Sequence, residues 1–485
     1  MFPPFAFDPV DRTRYGEYPY SPSSHRDAAT PVIVSFEARV GTVFCMTHES
    51  AGEPTRIVVV GSGFAGFECA RALARRLRGT DAHITMIAPH DYMLYTPLLP
   101  EVAGGILDAR FVTVPLSEAL PHVELVKGSV DSVDFGARTV HVTDCEQGVE
   151  DVAWDRLVLT PGSVTRLFDI PGLAEHARGL KTPAEALYFR DQLLTQIELA
   201  ERDTDPSVAD ARRTVVVVGA SYAGTELTAQ LRALADEAAA RRNLDPAKIR
   251  FLLLDAADTV MPEVGEKLGG KVLDVLRSRG IDVRLETTLA ELGPGHVTLD
   301  DGTVIPTRTV AWVTGVTAGP LIDTLGLPTE KGRLTVRPDL SVDGHPDVFA
   351  GGDAAAVPDP KNSGSVTPPT AQHAVRQGQA LARNVAASLG VGDPKPYSHR
   401  DMGLVVDLGP GFAVANPLGI QLSGFLAKVV TRAYHLYAMP NAANRWAVAL
   451  AYLTDLLFPR PLVSIGLVTD SESRFAAGEG VGAQS

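Results

Sequence analysis

Cysteine is scarce in this chain of 485 residues, and its spacing excludes several kinds of site. The three cysteines form no C-x-x-C or C-x-x-x-x-C pair; they are Cys45, Cys69 and Cys145. A disulfide framework, a zinc site and a catalytic dithiol are therefore not expected, and sparse, unpaired cysteine is typical of a reducing cytoplasm. No metal site is predicted either, because metal-ligand spacing is absent from His373, His399 and His435.

Long apolar runs and an excess of positive charge are also missing. No apolar stretch reaches the roughly 18 residues that a membrane-spanning helix requires, and the beginning of the chain lacks the basic and apolar segments of a secretory signal. The net charge of −14 argues against nucleic acid as a partner, because its phosphates would be repelled overall. These absences predict a cytoplasmic protein that meets a membrane only at its surface.

Two glycine-rich fingerprints are the most informative segments that are present. The first runs from Val58 to Gly66, and the second runs from Val215 to Gly224. Each follows a short β-branched run and opens an Ala/Leu-rich helical stretch, the setting in which backbone amides and a helix N-terminus bind a pyrophosphate. Two such sites in one chain predict electron transfer between two dinucleotides, a tightly held flavin and a diffusing nicotinamide.

The first fingerprint contains the three glycines that such a turn requires. We expect Gly61 to allow the tight turn, Gly63 to let the backbone approach the pyrophosphate, and Gly66 to let the helix pack closely. The acidic residue expected at the end of the next strand, where it would bind the ribose, is replaced by Ala88, and Asp91 is a poor substitute. Ribose binding must then use the backbone or another side chain, or the cofactor site is weaker than the fingerprint indicates.

The second fingerprint departs at its middle position. Gly219 and Gly224 hold the outer positions, but Ser221 replaces the central glycine, where its hydroxyl could hydrogen-bond the phosphate. Glu226 follows in the first helical turn, where helix capping explains a carboxylate as well as function does. Asp255 ends the next strand, where an acid hydrogen-bonds a ribose 2′-hydroxyl and disfavours a 2′-phosphate, so NADH is predicted over NADPH.

From about residue 55 to residue 455 the chain resembles the type II NADH dehydrogenases, which belong to a larger class of flavoproteins with two dinucleotide domains. Beyond the fingerprints, five segments carry the resemblance: 91–100 (DYMLYTPLLP), 160–162 (TPG, where the class usually has ATG), 309–316 (TVAWVTGV), 332–336 (GRLTV) and 348–353 (VFAGGD). The resemblance implies FAD and NADH as cofactors and assigns Asp353 to the flavin ribityl chain.

Residues 368–378 resemble the quinone-site helix of that family, whose pattern is A-Q-x-x-x-Q. Gln372 matches the first glutamine, whereas the second falls on Arg376, with Gln377 beside it. The positive N-terminal end of this helix is suited to stabilise an anionic reduced flavin. The arginine in place of the second glutamine affects the prediction of a quinone acceptor more than the prediction of the fold.

The predicted fold is α/β, with two Rossmann-like dinucleotide-binding domains and a C-terminal α/β extension. The expected division is a flexible tail over 1–54, a discontinuous FAD-binding domain over 55–182 and 336–395, an inserted NAD(H)-binding domain over 183–335, a C-terminal domain over 396–468 and a flexible tail over 469–485. Residues 201–213 are polar and acidic and predict a loop, and Met46 is a candidate initiator.

The site residues follow from the fingerprints and the resemblance together. The predicted cofactor contacts are Gly61, Ser62, Gly63, Phe64, Ala65, Gly66, Thr96, Pro97, Leu98, Thr160, Gly162, Gly352, Asp353, Thr370, Ala371, Gln372, Gly219, Ser221, Tyr222, Ala223, Gly224, Glu226, Asp255 and Gly315. The predicted catalytic residues are Glu226, Gln372 and Gln377.

The expected function is hydride transfer from NADH to FAD, followed by electron transfer to a quinone-like acceptor. One alternative is a soluble NAD(P)H-dependent reductase that serves a ferredoxin, an oxygenase or another small acceptor, and a second is a redox-sensing flavoprotein without turnover. The missing cysteine pairs argue against disulfide and sulfide:quinone reductases. Two apolar helical segments, 425–437 and 444–458, predict contact with a membrane surface, with the inner face of the cell membrane as its place, or with a second subunit; otherwise they cap the protein's own core.

Overall fold

The computed structural model describes residues 54–144, 146–362 and 364–475. The predicted tail before residue 54, the candidate initiator Met46, the two cysteines Cys45 and Cys145, and residues 476–485 lie outside the described residues. The third cysteine, Cys69, is a buried free thiol. Among the described residues, no helix combines the length and apolar character needed to cross a membrane.

The largest sheet has eight strands that come from two separate parts of the sequence. Their spatial order is Ser341–Val342, His345–Ala350, Arg156–Leu159, Thr55–Val60, Ala82–Ala88, Glu124–Asp134, Thr139–Asp144 and Val149–Ala153. The five strands from His345–Ala350 to Glu124–Asp134 are parallel to their neighbours, and the outer pairings are antiparallel. Strands from before residue 160 and after residue 340 therefore share one sheet, as expected for a discontinuous first domain.

A second parallel sheet lies within the intervening sequence. Its four strands follow the order Ile281–Arg284, Arg250–Leu254, Thr214–Val218 and Thr309–Trp312. The Thr214–Val218 strand is buried along its whole length, which explains its unbroken β-branched sequence. Between Ile281–Arg284 and Thr309–Trp312 the chain forms an antiparallel sheet of three strands: Leu289–Gly293, His296–Leu299 and Val304–Pro306.

Smaller strand pairs connect these sheets. Ser163–Thr165 pairs antiparallel with Val316–Ala318, so the chain segments that lead into and out of the second sheet lie side by side. Three small sheets remain. Tyr92–Leu94 pairs with Thr113–Pro115; a second sheet contains Thr329–Glu330, Arg333–Thr335 and Ala355–Ala356; and a third contains Val405–Asp407, Ala413–Ala415 and Leu422–Gly424.

The α-helices of the described residues pack on the sheets or form the C-terminal region. They are Phe64–Arg76, Leu99–Ala103, Leu116–Ala119, Leu173–His176, Pro183–Ala200, Pro206–Arg213, Tyr222–Arg242, Glu266–Ser278, Leu321–Thr324, Ala371–Ser388, Phe425–Ala438 and Ala442–Leu457. Their buried faces and the sheets form a continuous core that includes Ile57, Phe67 and Phe251. A smaller cluster around Trp312 covers the other face of the second sheet.

The prediction of a loop over residues 201–213 is wrong, because Pro206–Arg213 is a helix. Asp205 caps it by accepting a hydrogen bond from the Ser207 amide, and Pro206 occupies the first helical turn. The helix buries only two small residues, Ala209 and Ala211. Its polar composition and the small size of its two buried residues explain why the sequence carried no helical signal.

Residues 469–475, the start of the predicted C-terminal tail, contact the part of the chain around the second sheet. Asp470 pairs with Arg178 at 2.5 Å between the carboxylate and the guanidinium. The Ser473 hydroxyl accepts a hydrogen bond from the same guanidinium at 3.1 Å, and Phe475 is buried beside the second sheet. These contacts tie residues 470–475 to the inserted region.

Candidate active site

The first glycine fingerprint forms a cradle that is closed at its outer positions and open at its centre. A Cβ at Gly61 would lie 2.2 Å from the Thr160 carbonyl oxygen, and one at Gly66 would lie 1.9 Å from the Gly61 carbonyl oxygen. A Cβ at Gly63 would meet nothing within 4 Å. Gly63 also caps the helix Phe64–Arg76, where no side chain occupies the free amides. The cradle thus fits the pyrophosphate of FAD.

Three groups of predicted cofactor contacts lie next to this cradle: Ser62, Phe64 and the turn Thr96–Leu98. The Ser62 hydroxyl donates to the Tyr92 carbonyl oxygen at 3.1 Å, so it fixes the next loop. Phe64 packs edge-on against Tyr95, with 5.7 Å between the ring centroids. The short helical turn Thr96–Leu98 follows directly, and Leu98 is buried. Of these side chains, Ser62 is used by the protein itself, which leaves its backbone as the group available to a cofactor.

Asp353 lies on a turn that the rest of the protein holds from two sides. Its Oδ2 accepts a hydrogen bond from the Ser163 hydroxyl at 2.7 Å, and the Lys181 ammonium donates to the same hydroxyl at 2.8 Å. Arg333 donates to the Asp353 carbonyl oxygen at 3.0 Å. Gly352, with φ at +71°, allows the chain to turn here. The carboxylate is therefore fixed beside the first cradle.

The predicted catalytic residue Gln377 faces this turn. Its Oε1 accepts from the Gly352 amide at 2.7 Å, and its Nε2 donates to the Thr367 hydroxyl at 3.0 Å. The side chain is 1% exposed. Both ends of the amide are thus used inside the protein, which is the arrangement of a residue that positions the Asp353 turn.

Gln372 faces the opposite way, toward the C-terminal region. Its Nε2 donates to the Gly403 carbonyl oxygen at 2.5 Å. Thr370 caps the helix Ala371–Ser388 by accepting from the His373 amide, so its hydroxyl is occupied. Ala371 is the first helical residue. The first turn of this helix therefore lies between the Asp353 turn and the loop that contains Gly403.

The second fingerprint repeats the construction of the first. A Cβ at Gly219 would lie 2.5 Å from the Val313 carbonyl oxygen, and one at Gly224 would lie 1.9 Å from the Gly219 carbonyl oxygen. Ser221 caps the helix Tyr222–Arg242 without a side-chain capping bond. Tyr222 and Ala223 form its first turn, where the amides are open to a pyrophosphate.

The strand ends beside this second cradle hold two more predicted contacts. Asp255 Oδ2 accepts from the Ala220 amide at 2.5 Å, and Oδ1 accepts from the Ala257 amide at 2.8 Å. This carboxylate therefore also stabilises the glycine loop, a role that its sequence position did not reveal. A Cβ at Gly315 would meet nothing within 4 Å, and its φ of +138° favours glycine. Open space thus lies beside the end of the strand Thr309–Trp312.

Glu226 does not cap its helix. The side chain is buried, and its Oε1 accepts a hydrogen bond from the Asp407 amide at 2.7 Å. Burial raises the pKa of Glu226 well above its usual value, and the neighbouring charges of Asp407 and Glu101 act in the same direction. The capping interpretation is therefore wrong, because the carboxylate is used in a contact with the C-terminal region instead.

Glu226 belongs to a buried charge cluster formed by Glu101, Glu226, Gln230, Asp407 and Lys428. The Lys428 ammonium lies 2.6 Å and 2.5 Å from the two Asp407 carboxylate oxygens, and Gln230 donates to Oδ1 at 3.1 Å. Burial, followed by the charge of Asp407, raises the pKa of Glu101 to about 8. Of this cluster, the sequence analysis identified only Glu226. The sequence feature that could have indicated the cluster is the single charged residue within each of the apolar segments around Asp407 and Lys428.

An aromatic path connects the first cradle to the C-terminal helices. The Tyr95 hydroxyl lies 3.2 Å from His435 Nδ1, and the two rings are 5.9 Å apart. Burial lowers the pKa of His435 to about 4, so the imidazole is neutral at physiological pH. Uncharged rings therefore line the protein between Phe64 and the helix Phe425–Ala438.

Known proteins share both the sequence pattern and the architecture. Residues 55–378 match the profile of the pyridine nucleotide-disulphide oxidoreductase family. The type II NADH:quinone oxidoreductase Ndh of Mycobacterium tuberculosis is 31% identical over 422 residues, which cover 84% of this chain and 89% of the relative. Demethylphylloquinone reductase NdbB of Synechocystis is 31% identical over 407 residues, 82% of this chain and 96% of the relative.

A solved structure extends the comparison to the fold. NDH2 from Plasmodium falciparum in complex with NADH superposes with a TM-score of 0.78 at 16% identity, over 84% of this chain and 100% of that one. This superposition confirms the predicted α/β fold, and the profile match and the relatives confirm the predicted family. This chain belongs to the pyridine nucleotide-disulphide oxidoreductases and, within them, to the type II NADH:quinone oxidoreductases.

Proposed function

We propose that this chain oxidises NADH with the help of bound FAD and passes two electrons to a quinone. The observation that carries the proposal is the pair of cradles around Gly63 and Ser221, each closed at its outer glycines and free of capping side chains at its centre. FAD, when bound, supplies a two-electron relay between a hydride donor and the acceptor. Overall, NADH, a proton and the quinone yield NAD⁺ and the quinol.

The first cradle is proposed to hold FAD, with the FAD-binding domain over 55–182 and 336–395 as predicted. Backbone amides at Gly63 and Phe64 would bind the pyrophosphate, and the Asp353 carboxylate would bind the ribityl chain. Gln377 is a positioning residue in this scheme, because it holds the Gly352 amide and so fixes the direction of Asp353. Ala88 leaves the ribose to the backbone.

The second cradle is proposed to bind NADH within the domain over 183–335. Asp255 is placed at the carboxyl end of its strand, where its charge would repel the 2′-phosphate of NADPH. The open space beside Gly315 leaves room for the nicotinamide half. These groups orient the dihydropyridine ring toward the first cradle and exclude water from it.

The acceptor is proposed to bind beside Gln372, between the first turn of the helix Ala371–Ser388 and the C-terminal loop that holds Gly403. The hydrogen bond from Gln372 to Gly403 brings these two elements together. Glu226, in the buried charge cluster that includes Asp407, is proposed as a proton source for the reduced quinone. Its raised pKa and its burial support this role.

The C-terminal helices are proposed to lie on the inner face of the cell membrane, where an apolar quinone dissolves. Large apolar side chains are exposed along Phe425–Ala438, Ala442–Leu457 and the residues that follow, a set that we call the apolar face: Phe425, Leu426, Val429, Tyr437, Trp446, Leu450, Leu453, Leu456, Leu457 and Phe458. A patch of this kind marks a membrane or protein interface. A second copy of the chain is the competing occupant.

Stopped-flow spectroscopy tests the electron path. Purified protein should be yellow, NADH should bleach it much faster than NADPH, and a quinone should restore the colour rapidly. Fast reduction followed by slow reoxidation with every quinone tested would favour the soluble reductase instead. Absence of reduction by NADH would favour a non-catalytic flavoprotein.

Vesicle flotation tests the membrane assignment with matched variants. Leu450→Gln and Leu453→Gln on the apolar face should reduce the fraction that floats with anionic vesicles. Val149→Gln changes a still more exposed apolar residue, on the strand Val149–Ala153 outside the apolar face, and should not reduce that fraction. Unchanged flotation together with a shift from dimer to monomer would assign the apolar face to a subunit interface.

A further inference from the structure

Arg376 is held in place at the proposed acceptor site. Its Nη1 donates to the Gln372 carbonyl oxygen at 2.9 Å and lies 3.4 Å from the Gln372 side-chain oxygen. The side chain is half-buried one helical turn after Gln372. Two bonds to the residue that meets the C-terminal loop fix the guanidinium on the same side of the helix as that loop.

The Arg376 charge has no nearby counter-ion. Among the described residues, no carboxylate oxygen lies within 4.0 Å of the guanidinium, and Nε and Nη2 have no protein acceptor. The two carboxylates of the surrounding loops serve their own turns: Asp359 accepts from the Lys361 amide and Asp401 accepts from the Gly403 amide. A half-buried cation in this state favours an anionic ligand, because the ligand offsets its lost hydration.

Ring side chains lie within the electrostatic range of Arg376, among them His373, His399 and Tyr434. His373 stacks on His399 at 4.1 Å between centroids, and its Nδ1 lies 2.8 Å from the Tyr397 hydroxyl. Burial and the neighbouring imidazole lower the pKa of His373 to about 4. Burial raises the pKa of Tyr434, and the Arg376 charge opposes that rise. The guanidinium therefore lies among flat aromatic groups, and the charges of Asp359 and Asp401 act on both imidazoles, while that of Lys361 acts on His399.

We propose, on the basis of the proposed quinone reductase function, that Arg376 selects quinones that carry a negative charge on the ring, as an ionised hydroxyl or a carboxylate. The free Nε–H and Nη2–H groups of a guanidinium lie in one plane and match two oxygens of a planar anion. The glutamine that the family pattern places at this position offers no charge. Arg376 is thus a specificity-determining residue rather than an obstruction.

A matched pair of ligands tests this selection. 2-Hydroxy-1,4-naphthoquinone is an anion at neutral pH, and 2-methoxy-1,4-naphthoquinone has nearly the same shape without charge. Dissociation constants are measured by quenching of the bound flavin's fluorescence, and kcat/KM is measured with NADH in excess. Wild-type protein should bind the hydroxyquinone about tenfold or more tightly than the methoxyquinone, as expected for a charge-assisted hydrogen bond.

Three variants complete the experiment. Arg376→Gln should raise the dissociation constant of the hydroxyquinone about tenfold or more and change that of the methoxyquinone by less than about twofold. Arg376→Lys should keep part of the preference for the hydroxyquinone. Arg400→Gln removes the same charge from an exposed position on the neighbouring loop and should change neither ligand. Absence of a preference in the wild type, or an equal change for both ligands in Arg376→Gln, overturns the inference.

The outcomes separate this inference from the proposed function. If NADH reduces the flavin and the methoxyquinone reoxidises it, the proposed quinone reductase function is supported. The inference about Arg376 then depends only on the measured preference for the charged quinone. If neither quinone reoxidises the flavin, the acceptor assignment fails. The comparison of the two ligands in wild-type protein requires no substitution, so a variant that does not fold leaves the test intact.

Discussion

Removing the cation from the buried charge cluster should strongly destabilise the protein. Lys428 and Asp407 have only 8% and 5% of their side chains exposed, and the ammonium has three acceptors, both Asp407 oxygens and the Gly409 carbonyl oxygen at 3.1 Å. Lys428→Met keeps the length of the side chain but leaves Asp407 ionised in a buried site. Breaking a buried pair in this way costs about 3–5 kcal/mol of unfolding free energy.

A second variant distinguishes the cost of the unpaired charge from the cost of lost side-chain packing. Asp407→Asn added to Lys428→Met removes the unpaired charge, while the asparagine oxygen can still accept from the Gly409 amide, which lies 2.7 Å from Oδ1. We expect the double variant to recover most of the loss and to lie within about 2 kcal/mol of wild type. Urea unfolding of the FAD-loaded protein, followed by flavin fluorescence, gives these differences from the transition midpoints.

An exposed pair provides the control. Arg110 and Asp108 form an ion pair at 3.0 Å with 85% and 41% exposure, so Arg110→Met should leave the midpoint of urea unfolding nearly unchanged. The reasoning is refuted if Lys428→Met is as mild as this control. It is equally refuted if the double variant is as unstable as Lys428→Met, because the loss would then come from packing.

Three further predictions concern the cradles and the cluster. Gly63→Ala adds a Cβ that meets nothing within 4 Å in the protein but narrows the open centre of the first cradle, so the variant should fold and bind less flavin; a variant with wild-type flavin absorbance would contradict the assignment. Asp255→Asn should raise the ratio of kcat/KM for NADPH over NADH by about tenfold, and an unchanged ratio would exclude charge repulsion as the cause of selectivity. The pKa of Glu101 is about 8 in the folded protein and 4.5 in the unfolded chain, so the unfolded chain ionises first and the wild type loses stability as the pH rises from 4.5 to 8. Glu101→Gln should abolish that loss. Parallel plots of unfolding free energy against pH for the two proteins would count against this prediction.

The architecture was predictable because backbone geometry constrains the fingerprints. Gly61 and Gly219 have φ of +95° and +111°, and a Cβ at either position would collide with the neighbouring strand's backbone. Such positions require glycine, so the sequence pattern reports the turn directly. The helix Pro206–Arg213 was missed because its only two buried residues are alanines two positions apart, which give neither a strong hydrophobic signal nor a helical period.

The direction of individual side chains was harder to predict. Arg376 and Gln377 are adjacent in sequence, but successive helical residues point about 100° apart, so one faces the C-terminal loop and the other faces the Asp353 turn. The buried charge cluster unites residues that are distant along the chain. No local pattern could reveal that Glu226 meets Asp407, because only the tertiary fold brings them together.

The short pairing of Ser163–Thr165 with Val316–Ala318 has a consequence for how such enzymes diversify. The segment 166–315, which contains the second parallel sheet and the glycine loop proposed to bind NADH, begins and ends at these two strands, which are neighbours in register. A module attached at adjacent points can be exchanged for another with a different nucleotide preference while the eight-stranded sheet keeps its strand order. Chimaeras joined at these two strands should therefore retain flavin and change only their electron donor.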